Sequence, residues 1–121
     1  MRQACPDGTA LLCHRDELDE GAARGFKLFG HARDTLFVIR RGATLLGYLN
    51  RCPHQGASLP WRTNAYLNAT RTRIVCSAHG AQFDPDSGRC LAGPALGASL
   101  SAVDLEVDSD GWVRARIDDC Q

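Results

Sequence analysis

Two short stretches of the chain hold the residue types best suited to gripping metal: N-R-C-P-H-Q-G at residues 50–56 and C-S-A-H-G at residues 76–80. Each offers one thiol, one imidazole and a nearby glycine. The combined pattern is C-x-H, then 21 residues, then C-x-x-H. Thiolate and imidazole donors in such pairs suit a tetrahedral zinc site or an iron–sulfur centre. Structural zinc loops space their ligands by about two to four residues on each arm. The single proline between Cys52 and His54 strains two bonds to one ion. The spacing becomes natural if the site holds two irons bridged by sulfide. Cys52 and Cys76 then bind one iron, and His54 and His79 bind its neighbour. Gly56 and Gly80 are expected to adopt backbone conformations closed to other residues, letting main-chain amides approach the sulfurs. A zinc-stabilised binding module is the competing reading. Colour separates the two, because zinc leaves a protein colourless and a two-iron cluster turns it brown.

The elements that must carry these loops read as β-structure. Residues 34–40 are rich in β-branched and aromatic side chains, 41–43 form a turn, and 44–49 run apolar again, which predicts a hairpin. Val103, Leu105 and Val107 alternate with acidic residues, and Ser109-Asp110-Gly111 marks a turn. Val113, Ala115 and Ile117 then alternate with arginines. A second hairpin is expected there, with one buried and one solvated face. Residues 24–29 and 73–75 predict two further strands. The one helical signal is a single turn at 16–21, stopped by Gly21. The turn-rich blocks at 51–64 and 77–98 interrupt the strands, and loops on a rigid sheet are where chemistry is usually housed.

Composition narrows the classes. The 121 residues fit one ordinary domain, and 14 basic residues balance 14 acidic ones. Zero net charge gives no general pull toward nucleic acid or an acidic membrane, so neither is expected as a partner. No stretch reaches the length of a membrane span, and the N-terminus lacks an apolar secretory segment, so a cytoplasmic location is expected. Thiols stay reduced there, and metal ligation accounts for some of the six cysteines. His14 and His31 have no partners at ligand spacing and are expected to be solvent-exposed. Cys5, Cys13 and Cys120 read as structural or free thiols, and Cys90 as a small buried hydrophobe. Leu59, Pro60 and Trp61 are expected to support the first loop, with an apolar docking surface for a partner as the alternative, and Trp112 to pack.

The chain resembles the Rieske iron–sulfur family through C-P-H-Q-G at 52–56, C-S-A-H-G-A-Q-F-D at 76–84 and S-G-R-C-L-A-G-P-A at 87–95. The resemblance implies an all-β fold of antiparallel sheets. Residues 1–121 would form a single domain, with a cluster-binding subdomain at approximately 51–95 built from two loops. It implies one [2Fe-2S] cluster on Cys52, His54, Cys76 and His79, covered by a proline loop at Gly93-Pro94-Ala95. The segment from Leu59 to Arg73 is longer than in typical dioxygenase ferredoxins and reads as an insertion.

High-potential members carry two loop-bridging cysteines, and a serine and a tyrosine beside the cluster. The matching positions here are Ala57, Ala78, Ala81 and Phe83, so a low potential is expected. The function implied is a soluble one-electron carrier, taking electrons from a reductase and passing them to an acceptor oxidoreductase. No histidine follows His79 among the last 42 residues, so no mononuclear iron site for oxygenase chemistry is expected on this chain. A small subunit of a larger reductase, similar to that of nitrite reductase, and a redox-sensing module are the alternatives.

Overall fold

The computed structural model describes residues 9–28, 34–53, 59–60, 64–77, 80–93 and 96–116. The strands in chain order are β1 (Thr9–His14), β2 (Ala23–Phe26), β3 (Leu36–Arg41), β4 (Thr44–Leu49), β5 (Ile74–Val75), β6 (Gln82–Phe83), β7 (Cys90–Ala92), β8 (Ala102–Val107) and β9 (Trp112–Arg116). They form a six-stranded sheet ordered β1-β9-β8-β4-β3-β2 and a three-stranded sheet ordered β5-β6-β7. Neighbouring strands pair antiparallel throughout. The all-β expectation holds.

Strand β3 explains the layout. Successive side chains of a strand point to opposite faces, and Leu36, Phe37, Val38 and Ile39 are all buried. Phe37 and Ile39 enter one apolar core together with Tyr48, Cys52, Cys76 and Phe83. Leu36 and Val38 enter a second core with Leu18, Val113 and Ala115. The register with β4 preserves this sorting. Phe37 faces Tyr48 and Ile39 faces Leu46 on the first side, while Leu36 faces Leu49 on the second. A strand wetted on neither face reads as a continuous apolar run, as L-F-V-I does.

The C-terminal hairpin forms as β8 and β9, with Leu105 opposite Ala115 and Val107 opposite Val113. Its inner face is shorter than the alternation predicts. Val103 and Val113 are buried, whereas Val107 is 43% exposed because it ends the strand beyond the core. Ile117 lies outside the described residues. The strand expected over 24–29 is β2, and that over 73–75 is β5. The expected helical turn is a 3₁₀ turn at Arg15–Glu17 that starts earlier than predicted.

His14 starts that turn and is not the solvent-exposed residue expected. Its Nδ1 accepts from the Asp16 N–H, and its Nε2 lies 2.7 Å from the Asp110 carbonyl oxygen. Its ring meets Trp112 edge-on at 5.1 Å between centroids. Trp112 is therefore only partly packed, with 41% of its surface exposed.

The connection before β5 is anchored to the main sheet. The Tyr66 ring stacks on Phe37 at 4.1 Å, and its O–H donates to Asp34 Oδ2 at 2.5 Å. Asn64 Oδ1 accepts from the Gly25 N–H at 2.8 Å. The tip is held by Asn68, whose Oδ1 accepts from the N–H groups of Thr72 and Arg73. Gly25 makes room for this docking. A Cβ there would lie 1.8 Å from Asp34 Oδ2 and 2.6 Å from the Tyr66 hydroxyl oxygen. Gly25→Ala is therefore expected to displace the Asp34–Tyr66 pair and cost about 1–3 kcal/mol, the usual range for overpacking. Urea denaturation of the two proteins measures it. An unchanged midpoint would show that the contact does not hold this segment down.

Candidate metal centre

Cys52 follows β4 closely, where the chain turns out of the sheet. The Asn50 N–H donates to the Thr35 carbonyl at 3.0 Å, and the Arg51 N–H to the Leu49 carbonyl at 2.8 Å. These bonds turn the chain inward and leave Cys52 only 1% exposed. Cys76 follows β5 directly and is 0% exposed. Its own N–H donates to the Ala81 carbonyl at 2.9 Å, and the Gly80 N–H donates back to the Cys76 carbonyl at 2.8 Å. Cys76 is thus tied to both Gly80 and Ala81. Gly80 has φ +74°, the left-handed conformation that favours glycine.

The structure brings both thiols into one core, with Leu59, Ala81, Phe83 and Cys90 around them. The two boxes are also joined by backbone. The Ser77 N–H donates to the Leu59 carbonyl at 2.8 Å, and the Leu59 N–H donates to Asn50 Oδ1 at 2.8 Å. Leu59 is fully buried, as the supporting role expects, and Pro60 is half-buried. His54, His79, Gly56, Ala57, Ala78 and Trp61 lie outside the described residues, as do Cys5, Cys120 and His31. Among the described residues no group of three or more metal-binding side chains converges. The donor set still fits the cluster. Two thiols from separate loops share a water-poor core, and each loop carries a histidine at ligand spacing.

The third loop reaches the same place. Gly93 has φ +98°, and a Cβ there would lie 2.7 Å from the Ala81 Cα. The loop can lie against the second box only because residue 93 has no side chain. The Leu96 N–H closes it on the Gly93 carbonyl at 3.2 Å. Pro94 and Ala95 lie outside the described residues. Cys90 is buried as expected, and its Sγ–H donates to the Ala92 carbonyl at 3.2 Å. Cys13 sits in the other core, where burial pushes its thiol above the ordinary range, partly offset by the charge of Arg24.

Two tyrosines share the core that holds the thiols, and their hydroxyls are engaged elsewhere. Tyr66 donates to Asp34, and burial together with that bond holds its proton far above the usual tyrosine range. Tyr48 donates to the Pro85 carbonyl at 2.7 Å. Ala81 and Phe83, both fully buried, offer no hydroxyl. Reading the sequence alone missed two residues. Asn50, at 4% exposure, was hidden because its role depends on what lies opposite it. Tyr66 lies in a stretch that carried no period, so only the structure reveals its anchoring role.

Residues 8–118 match the family model of the Rieske [2Fe-2S] domain. The chain belongs to this family, whose domain carries one [2Fe-2S] cluster. The cytochrome b6-f complex iron-sulfur subunit 1 of the Cyanophora paradoxa cyanelle is 35% identical over 97 residues, covering 78% of this chain and 36% of that protein. The chain spans 32% to 52% of the length of such curated relatives. The ferredoxin of carbazole 1,9a-dioxygenase from Nocardioides aromaticivorans IC177 shares the fold, with a TM-score of 0.70 at 24% identity over 92% of this chain and 99% of that one. A chain from the complex of reduced oxygenase and oxidized ferredoxin in carbazole 1,9a-dioxygenase aligns with a TM-score of 0.69 at 25% identity, covering 90% of this chain and 93% of that one. No helix among the described residues is long and apolar enough to cross a membrane.

Burial, reinforced by the charges of Asp84 and Asp86, raises the Tyr48 pKa from 10.0 to about 12. The folded protein therefore holds this proton more tightly than the unfolded chain does. The resulting stability is whole below pH 10 and is lost as pH rises through about 12. Tyr48→Phe is expected to flatten the loss of stability over that interval and, by removing a buried hydrogen bond, to cost about 1 kcal/mol at neutral pH. Denaturation midpoints at stepped pH check both effects.

Proposed function

We propose that this chain is a one-electron carrier whose cluster is held by Cys52 and Cys76 on one iron and by His54 and His79 on the other. Residues 1–121 form one Rieske domain in this reading, with the cluster-binding part at approximately 51–95. The observation that carries it is the convergence of two buried thiols, one from each ligand box, joined by the Ser77–Leu59 hydrogen bond. When bound, the cluster supplies reversible one-electron reduction.

The chain's own residues set the conditions for that chemistry. Leu59, Phe83 and Ile74 keep water from the thiols. The hydrogen bonds that tie Cys76 to Gly80 and Ala81, and the close approach of Gly93 to Ala81, restrict movement around the site, so a change of charge meets a prearranged surrounding. Hydrogen bonds to cluster sulfurs favour the reduced state. The hydroxyl donors at positions 81 and 83 are missing, and Tyr48 and Tyr66 are committed to other acceptors. This supports a potential at the low end of the Rieske range.

The partners are a reductase that donates and an oxidoreductase that accepts, and the reading requires no nucleic acid or membrane contact and places the chain in the cytoplasm. The solved complex of oxygenase and ferredoxin supports an oxygenase as the type of acceptor. A second reading makes the chain an iron–sulfur component of a larger assembly, which the names of the cytochrome b6-f subunits support. Purification of the native protein separates the two, because a carrier elutes alone and a subunit co-purifies with larger chains.

Anaerobically purified protein is expected to be brown, to contain iron and acid-labile sulfide in equal amounts, and to show a reducible [2Fe-2S] signal by electron paramagnetic resonance. Loss of His54 or His79 should abolish that signal. A colourless zinc protein would end this reading. Ala81→Ser and Phe83→Tyr are each expected to raise the potential by about 60 mV, if each new bond favours the reduced state by about 1.4 kcal/mol. Redox titration of the single and double variants measures this, and potentials that stay put refute the hydrogen-bond account.

A further inference from the structure

Apart from the tyrosines, Asn50 is the one buried polar side chain among the described residues, at 4% exposure. Burying an amide is costly unless both of its ends are satisfied. Here its Nδ2 donates to the Asp34 carbonyl at 3.1 Å, and its Oδ1 accepts from the Leu59 N–H at 2.8 Å. Its own N–H donates to the Thr35 carbonyl. The side chain therefore bridges the entry to β3 and the exit of the first ligand loop. Leu59 passes the constraint on, because its carbonyl accepts from the Ser77 N–H inside the second box. The amide has one orientation consistent with these partners, since reversing it would set its NH₂ against the Leu59 N–H. Only a short side chain with both a donor and an acceptor fits. Aspartate keeps the acceptor alone, and leucine has neither.

We propose that Asn50 is a positioning residue of the metal centre. Through Leu59 it sets the spacing between the two ligand-bearing loops, and so the uniformity and retention of the cluster. The inference rests on the ligand assignment of the preceding subsection.

The test compares holo-proteins carrying N50L, N50D and, as a control, N68L. Asn68 also clamps backbone N–H groups, but at the exposed tip before β5. Two quantities are read: the linewidths of the reduced cluster's paramagnetic resonance spectrum, and the rate of cluster loss to an iron chelator. N50L is expected to broaden the lines and speed loss about tenfold, within the span set by one unmet buried donor. N50D keeps an acceptor for Leu59 but sets an oxygen against the Asp34 carbonyl, and is expected to speed loss as well. N68L is expected to leave both readouts unchanged. If N50L does not fold, N50A, which also lacks donor and acceptor, takes its place with the same expectations.

Wild-type lines and a wild-type loss rate in N50L overturn the inference. So does an equal effect of N68L, which would mark general destabilisation, or an N50D protein with wild-type lines and loss rate. A wild-type protein without iron and sulfide, or one whose spectrum survives loss of both His54 and His79, overturns the ligand assignment and this inference together. An intact wild-type spectrum with an unaffected N50L overturns the role of Asn50 alone.

Discussion

The structure depends on a strand that is dry on both sides. In β3 the two-residue alternation of side chains sends Phe37 and Ile39 toward the thiol-bearing core and Leu36 and Val38 toward the core of the main sheet. The two cores share the backbone of this strand as a common wall. Strand β4 follows the same division. It then delivers Cys52 to the first core, only three residues beyond Leu49. The second thiol arrives from the small sheet, whose β5 places Ile74 in the same core.

Around the thiols there is little regular structure, so the backbone must satisfy its polar groups in other ways. A buried N–H without a partner costs about as much as a lost hydrogen bond or more. The loops meet this need by bonding across to one another: Cys76 to Ala81, Gly80 to Cys76, Ser77 to Leu59 and Leu59 to Asn50. The same bonds that remove the penalty also fix the loops relative to each other. Surface ion pairs such as Arg41–Asp86 and Arg116–Glu106 add little by comparison, being exposed to solvent.

Much of this was legible in the residues, and the exceptions have physical causes. The ligand boxes stand out because metal chemistry needs its donors close together in the chain. The C-terminal hairpin stands out because alternation is a strong local signal, and the β3–β4 hairpin because its first run is rich in β-branched and aromatic residues. Strands β6 and β7 escape notice because they are two and three residues long, and a register shift between Gln82 and Phe83 breaks their period. Strand β1, T-A-L-L-C-H, has few β-branched residues and a bulge between Leu11 and Cys13. His14 looked unattached because its ring nitrogens meet backbone groups, a turn amide and the Asp110 carbonyl. Asn50 sits in plain view two residues before Cys52, yet its partners are Asp34 and Leu59, which only the fold places opposite it.

The division of β3 between two cores has a consequence for how the protein matures. If β3 slipped against β4 by a single residue, pairs such as Phe37–Tyr48 would no longer meet on a common face, and both interiors would be scrambled at once. There is no half-correct arrangement in which one interior survives. Because Cys52 is tethered so closely to the end of β4, a misaligned hairpin would also hold this thiol away from Cys76. Under the ligand assignment proposed above, a chain has to align this hairpin before it can offer both sulfurs to iron together.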